Sequence, residues 1–315
     1  MKIHEEDEMR KESLRTMLFV LVFVLVGSVT MGRAAPAQSG LTKIADNVYS
    51  YVNVKGSSPQ NSFGANAGII IGKNGILVVD TLVSSKEAKR FIKDIRAISD
   101  KPIRYVVNTH SHLDHTFGNA DFRRLGAVII SHENCKKNME SNSENALKNA
   151  KAYGLTEKDM EGTKIVYPVL TFSERMEVDL GNQKVELIYA GPSHTDDSIL
   201  VYLPDKKILF AGDVLFTGYH PYMGDGEIES WTEVLDSIAA LDPAVIIPGH
   251  GPVSGKKDVE DMRNYLITFD EKARELATQS NDVEHIASEI KKIVPQRAEG
   301  DWLIKANIQM KYLKK

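Results

Sequence analysis

Residues 110–115 read His-Ser-His-Leu-Asp-His, three imidazoles and one carboxylate in six positions. They stand directly behind the strand-like run Ile103 to Val107 and shortly before Gly118. A fold that carries this segment must gather strongly hydrated side chains at the end of a buried strand, which packing alone gives no reason to do. In an extended stretch His110 and His112 project to the same side, and a turn at Leu113 brings Asp114 and His115 back toward a neighbouring point, so two adjacent metal positions can be built. The single cysteine, Cys135, excludes an intramolecular disulfide framework, a four-cysteine zinc knot and a C-x-x-C redox pair. Any metal must therefore sit on His, Asp or Glu. Zinc accepts imidazole nitrogen and carboxylate oxygen, and a catalytic zinc site keeps one position open for water.

From Leu41 onward the chain reads as mixed α/β. Strand-like runs are Val48 to Val54, Ala67 to Ile71, Ile76 to Val79, Ile103 to Val107, Val128 to Ser131, Lys164 to Val169, Arg175 to Leu180, Gln183 to Tyr189, Ile199 to Leu203, Ile208 to Phe210 and Val245 to Ile247. Gly72-Lys73-Asn74-Gly75 is a hairpin signal between two of them. Helical spacing marks Lys86 to Ser99, Glu144 to Tyr153 with Thr156 onward, Glu229 to Leu241, Lys257 to Leu276 and Asp282 to Ile293. No repeat of fixed length and no low-complexity linker interrupts the pattern, so residues 41–255 with a C-terminal helical part, 256–315, are read as one domain of two β-rich halves. With 315 residues, 42% hydrophobic and 26% charged, a sizeable core can be buried. The net charge of −4 leaves no basic surplus for a phosphate backbone, so the expected partner is a small-molecule substrate and not nucleic acid.

Residues 1–37 read separately. Met17 to Val26 is an unbroken apolar run, followed by Gly27, Ser28 and the small-x-small site Ala35-Pro36-Ala37, the layout of an export signal. The expectation is an exported chain, periplasmic or secreted; an uncleaved anchor over residues 17–31 is the alternative and the one route to a membrane. Glu5, Glu6, Asp7 and Glu8 suit a signal badly, whereas a start at Met9 opens with Arg10, Lys11 and Arg15, so translation is expected to begin at Met9.

Five motifs recur in an order that resembles the metallo-β-lactamase superfamily of metal-dependent hydrolases. They are Ala65-Asn66-Ala67-Gly68 with Val79-Asp80, Thr109 to His115, Gly191-Pro192-Ser193-His194-Thr195, Ala211-Gly212-Asp213 and Pro248-Gly249-His250-Gly251. The resemblance runs from about Ile44 to Val253 and implies a four-layer αβ/βα sandwich with a metal cleft at one edge of two sheets. By motif position it implies that His110, His112 and His194 hold a first metal, that Asp114, His115 and His250 hold a second, and that Asp213 bridges both. Two zinc ions per chain are the implied cofactor, although nitrogen and oxygen ligands alone do not choose zinc over iron.

The chemistry expected from such a centre is hydrolysis: a metal-bound hydroxide attacks the carbonyl of an ester, lactone, thioester or amide, with Asp114 orienting it and carrying its proton. A true β-lactamase is one alternative, but Asp213 stands where those enzymes carry cysteine or lack a bridging aspartate, and Phe216 stands where one group has a drug-binding lysine. A mononuclear iron dioxygenase acting on persulfides is the other. His220 and Tyr222, in the loop Thr217 to Tyr222 beside Asp213, are expected to face substrate on position. His132 is expected to be structural, His285 solvent-facing, and Cys135 a reduced or buried thiol. Asp80 reads either as a residue behind the metal ligands or as a plain turn residue. Lys55 to Gly64 is expected to form a flap over the substrate.

Overall fold

The computed structural model describes residues 40–313, so the export-signal reading of residues 1–37 lies outside the described residues. Two sheets are formed. The first contains, in order, β1 (Thr42–Ala45), β2 (Val48–Ser50), β3 (Gly68–Ile71), β4 (Ile76–Val79), β5 (Ile103–Val107), β6 (Val128–His132) and β7 (Leu170–Phe172). The second contains β8 (Arg175–Asp179), β9 (Lys184–Tyr189), β10 (Ile199–Leu203), β11 (Ile208–Phe216) and β12 (Val245–His250), in strand order β12-β11-β10-β9-β8. The expected hairpin is present: β3 and β4 pair antiparallel, and the Gly72 N–H donates to Gly75 O.

Alternating side chains explain why the sheets stack, since successive residues of a strand face opposite sides. Ile69, Ile76, Val78, Val106 and Ile129 pack with Phe91, Ile95 and Phe122. The last three lie on α1 (Ser85–Ile98) and α3 (Asn119–Arg124), which cover the outer face of the first sheet. Their in-between neighbours Ile70, Leu77, Val79, Val107 and Ile130 meet Leu187, Val201, Phe210 and Ile247 of the second sheet. Leu200, Leu209 and Ile246 point the other way, onto α5 (Ile228–Leu241), α6 (Lys256–Ala277) and α7 (Val283–Ile293). The result is helix, sheet, sheet, helix: the four-layer sandwich.

Several boundaries differ from expectation. The helix expected over Glu144 to Tyr153 is α4 (Glu133–Lys148), capped by the His132 side chain, which accepts from the Asn134 N–H, and Thr156 onward is a turn. Its buried stripe is only Cys135, Met139 and Ser143, too thin to give an apolar periodicity. Lys164 to Val169 is not a strand; pairing begins at Leu170, beyond Pro168, which lacks the N–H a ladder needs. Val48 to Val54 ends as a strand at Ser50, and β11 and β12 run on to Phe216 and His250. The short strand β1 and the helix α8 (Trp302–Asn307) carried too few periodic residues to be expected.

Candidate metal centre

Parallel neighbours bring the motif residues together. β4 and β5 pair in parallel, as do β11 and β12, so Asp80, Thr109, Asp213 and His250 arrive at the same end of the two sheets. Ligand sites in open α/β sheets lie at the carboxyl ends of strands. The turn expected at Leu113 is one helical turn, α2 (Leu113–Thr116), in which the His115 N–H and the Thr116 hydroxyl both donate to His112 O. His194 comes from the loop between β9 and β10, clamped by Glu227 N–H on Ser193 O and the Ser230 hydroxyl on Pro192 O.

Outer hydrogen bonds fix which nitrogen of each imidazole carries the proton. His112 Nε2 donates to Asp225 Oδ2 at 3.1 Å, and His115 Nδ1 donates to Asp80 Oδ2 at 2.8 Å. His194 Nδ1 donates to Tyr222 O at 3.1 Å, and His250 Nδ1 to Phe63 O at 3.2 Å. Thr109 gives its hydroxyl proton to Asp80 Oδ2, so its oxygen accepts from His110 Nδ1 at 3.1 Å. An imidazole that donates from one nitrogen offers a lone pair on the other when neutral. His110 Nε2, His112 Nδ1, His115 Nε2, His194 Nε2 and His250 Nε2 therefore all turn lone pairs inward.

These inner atoms crowd together. His112 Nδ1 lies 3.2 Å from His110 Nε2 and 3.0 Å from His194 Nε2. Asp213 Oδ2 is 3.5 Å from His194 Nε2 and 3.4 Å from His250 Nε2, while Asp213 Oδ1 is 3.2 Å from His115 Nε2. Asp114 Oδ2 is 3.4 Å from His250 Nε2. His110, His112, His194 and Asp213 form one group whose donor atoms lie within 4.8 Å of one another, and Asp114, His115 and His250 form a second. His115 Nε2 and Asp213 Oδ1 are buried without a hydrogen-bond partner. Facing lone pairs and orphaned buried acceptors are unfavourable unless a cation sits among them, and this donor set fits metal ions well.

Burial pushes His194 down to about 3 and His110 well below the ordinary imidazole value, against the pull of Asp213. At His250 burial is outweighed by Asp213 and Asp114, which raise it to about 9; His115 is raised for the same reason. Burial acts to raise Asp114 and Asp213, and the neighbouring histidines overcome it and hold both below the usual carboxylate range.

All seven residues read as ligands come together; the two read as substrate-facing do not share one fate. The Tyr222 ring lies against His112 at a centroid distance of 5.6 Å. His220 is outside the cluster, buried, with Nδ1 2.7 Å from the Tyr265 hydroxyl of α6. Sequence reasoning did not find Asp225 or the carbonyls of Phe63 and Tyr222, because one acidic residue in a loop or a backbone oxygen leaves no pattern. Asp80 is the residue behind His115: its carboxylate also accepts from the Thr109 N–H at 2.8 Å, and its backbone is left-handed at φ 60°. Phe216 stacks on His250, rings 5.1 Å apart and 3° from parallel. Pro59–Gly64, within the expected flap, is a short helical turn whose Phe63 reaches the cluster.

The family model described as the metallo-beta-lactamase superfamily matches residues 61–250. The chain is 29% identical over 184 residues to the 2,4-dinitroanisole O-demethylase subunit alpha of Nocardioides sp., covering 58% of this chain and 51% of that protein. It is 27% identical over 227 residues to the linear primary-alkylsulfatase of Pseudomonas sp., covering 62% and 43%. The chain spans about half the length of these two relatives. Among solved structures it resembles the metallo-beta-lactamase FIM-1 from Pseudomonas aeruginosa in the mono-zinc form, with TM-score 0.57, 21% identity, 74% of this chain and 98% of that one.

Proposed function

The chain belongs to the metallo-beta-lactamase superfamily, and from that premise we propose that it is an exported metal-dependent hydrolase with a dinuclear zinc centre that cleaves an ester, lactone, thioester or amide. The observation that carries the proposal is the convergence of five imidazole lone pairs and two carboxylates at one end of the sheets. His110, His112 and His194 would hold one zinc, and Asp114, His115 and His250 the other, with Asp213 between the two groups. When bound, zinc lowers the pKa of water from 15.7 to about 7 and polarises a carbonyl.

The remaining work falls to the chain. Asp114 is more exposed than Asp213, 13% against 5% of the side chain, which supports it as the carboxylate that orients a nucleophile and takes its proton. Burial of His110, His115 and His194 excludes bulk water behind the cluster. Phe216, buried and stacked on His250, offers no charge to a drug carboxylate, which weighs against a β-lactamase as the main activity.

The test is turnover of a substrate panel of esters, lactones, thioesters, β-lactams, an aryl methyl ether and a primary alkyl sulfate, the last two chosen from the relatives' names. Asp114→Ala and His112→Ala are expected to lower kcat by at least about 100-fold on whichever substrate the parent cleaves. Near-parental activity in either variant would sink the hydrolytic scheme.

A further inference from the structure

Three of the five inward-facing imidazoles take their outer hydrogen bond from two loops. Residues 53–66 supply Phe63 O to His250; residues 217–226 supply Tyr222 O to His194 and the Asp225 carboxylate to His112. Both loops are held from outside by one stretch of chain, residues 298–311, which contributes no ligand.

Asn307 of α8 is fully buried and spans Tyr222 on both sides. Its Oδ1 accepts from the Met223 N–H at 2.7 Å and its Nδ2 donates to Pro221 O at 2.8 Å. With both neighbouring peptides fixed, the Tyr222 carbonyl has little freedom to leave His194 Nδ1. Lys311 Nζ ties down the far end of the same loop at Gly226 O, 2.6 Å away. Glu299 acts on the other loop. Its carboxylate accepts from the Gly56 N–H, the Ser57 N–H and the Ser57 hydroxyl at 3.1, 3.2 and 3.0 Å. From there the turn is braced to its end: Asn61 Nδ2 donates to Gly56 O, Asn61 Oδ1 accepts from the Ser58 N–H, and the Phe63 N–H donates to Ser58 O. Ser62 and Phe63 sit at φ 58° and 53°, a left-handed conformation that such residues keep only when their surroundings dictate it. The Glu299 backbone pairs separately, its O with the His220 N–H and its N–H with Gly218 O, so a side-chain change leaves that contact in place.

We propose that residues 298–311 are the outer support of the metal centre, with Asn307 and Glu299 as positioning residues for different metal positions. Asn307 serves the His110, His112, His194 position through the Tyr222 carbonyl, and Glu299 serves the Asp114, His115, His250 position through the Phe63 carbonyl. This rests on the reading that both groups bind metal. Partners behind metal-binding histidines fix ring orientation, and losing one costs about 10- to 100-fold in metal affinity.

The test is zinc titration of the full chain, stripped of metal, against a chromophoric chelator, with no substrate present. His110→Ala and His115→Ala identify the binding step of each position. Asn307→Ala is expected to weaken the first position by about 10-fold or more and leave the second within about threefold; Glu299→Ala is expected to do the reverse. Glu299→Gln, which keeps an acceptor for Gly56, is expected to restore most of the loss. Where alanine at 307 impairs folding, as judged by circular dichroism, Asn307→Asp keeps the size of the group and the bond from Met223 and is expected to give a smaller loss at the same position. Folded variants that titrate like the parent overturn the proposal, and equal weakening of both steps by either variant overturns the separate assignment. A parent chain that takes up no zinc overturns the metal reading itself, and this inference with it.

Discussion

At the scale of single residues the centre is held by space as much as by bonds. A Cβ on Gly249 would stand 1.9 Å from Asp213 Oδ1 and 2.7 Å from the Gly212 carbonyl carbon, so only glycine lets β12 pass beside this carboxylate. Gly249→Ala is expected to displace Asp213 and lower kcat/KM by about 100-fold, the cost of a misplacement near 1 Å, while the circular dichroism spectrum is kept; unchanged kinetics would show that the carboxylate has room to spare. His220 belongs to a different account. Burial lowers it to about 4, opposed by Asp301 and reinforced by Arg297 and Lys291. The unfolded chain binds a proton at His220 below about 6.5 and the folded chain does not until about 4, so His220 costs stability as pH falls through that window. His220→Gln is expected to remove about 2 kcal/mol of the loss between pH 7 and pH 4.5, measured by urea unfolding at the two values. An equal loss in parent and variant would contradict the burial of this imidazole. His220 lies in the loop beside Asp213, but position in a loop does not say which way a ring turns, and this one turns inward to Tyr265. The residues of the cluster were legible because His110-Ser111-His112-Leu113-Asp114-His115 concentrates four of them; their hydrogen-bond supports, Asp225 and two carbonyls, were not.

At the scale of elements, α5 closes the site from behind. Trp231 is fully buried, donates Nε1–H to Val214 O at 2.9 Å, and lies edge-on to His194 with ring centroids 5.4 Å apart. Trp231→Ala is expected to cost about 3 to 5 kcal/mol, from the cavity and the orphaned carbonyl, read as a lower urea midpoint. A cost under about 1 kcal/mol would mean that α5 does not pack as described. Strands such as β4 and β6 were legible from their apolar runs and the hairpin glycines, because they are buried on both faces; β5 was legible from its buried end, Val106 and Val107. The start of α4 was hidden because its buried stripe is thin, and β7 because its pairing begins only after Pro168.

Across the whole molecule, the two sheets meet over an apolar layer, and the His and Asp cluster lies at the strand ends that border it. Asn66 donates Nδ2–H to Pro248 O and Gly251 O, and its N–H to Gly249 O, so the first half of the chain is sewn to the second at the edge of the cluster. A metal-binding site built at that junction makes stability depend on metal occupancy. Chelation is expected to lower the melting temperature, by an amount equivalent to roughly 4 kcal/mol when free metal stands 1,000-fold above its Kd; a chelated chain that melts like the untreated one would contradict the coupling. The proposed dinuclear zinc centre of seven side chains is tested by elemental analysis of the purified full chain, expressed with no metal added and compared with His194→Ala. About two zinc per chain are expected in the parent and about one in the variant. No metal in the parent, or about one iron, would contradict it.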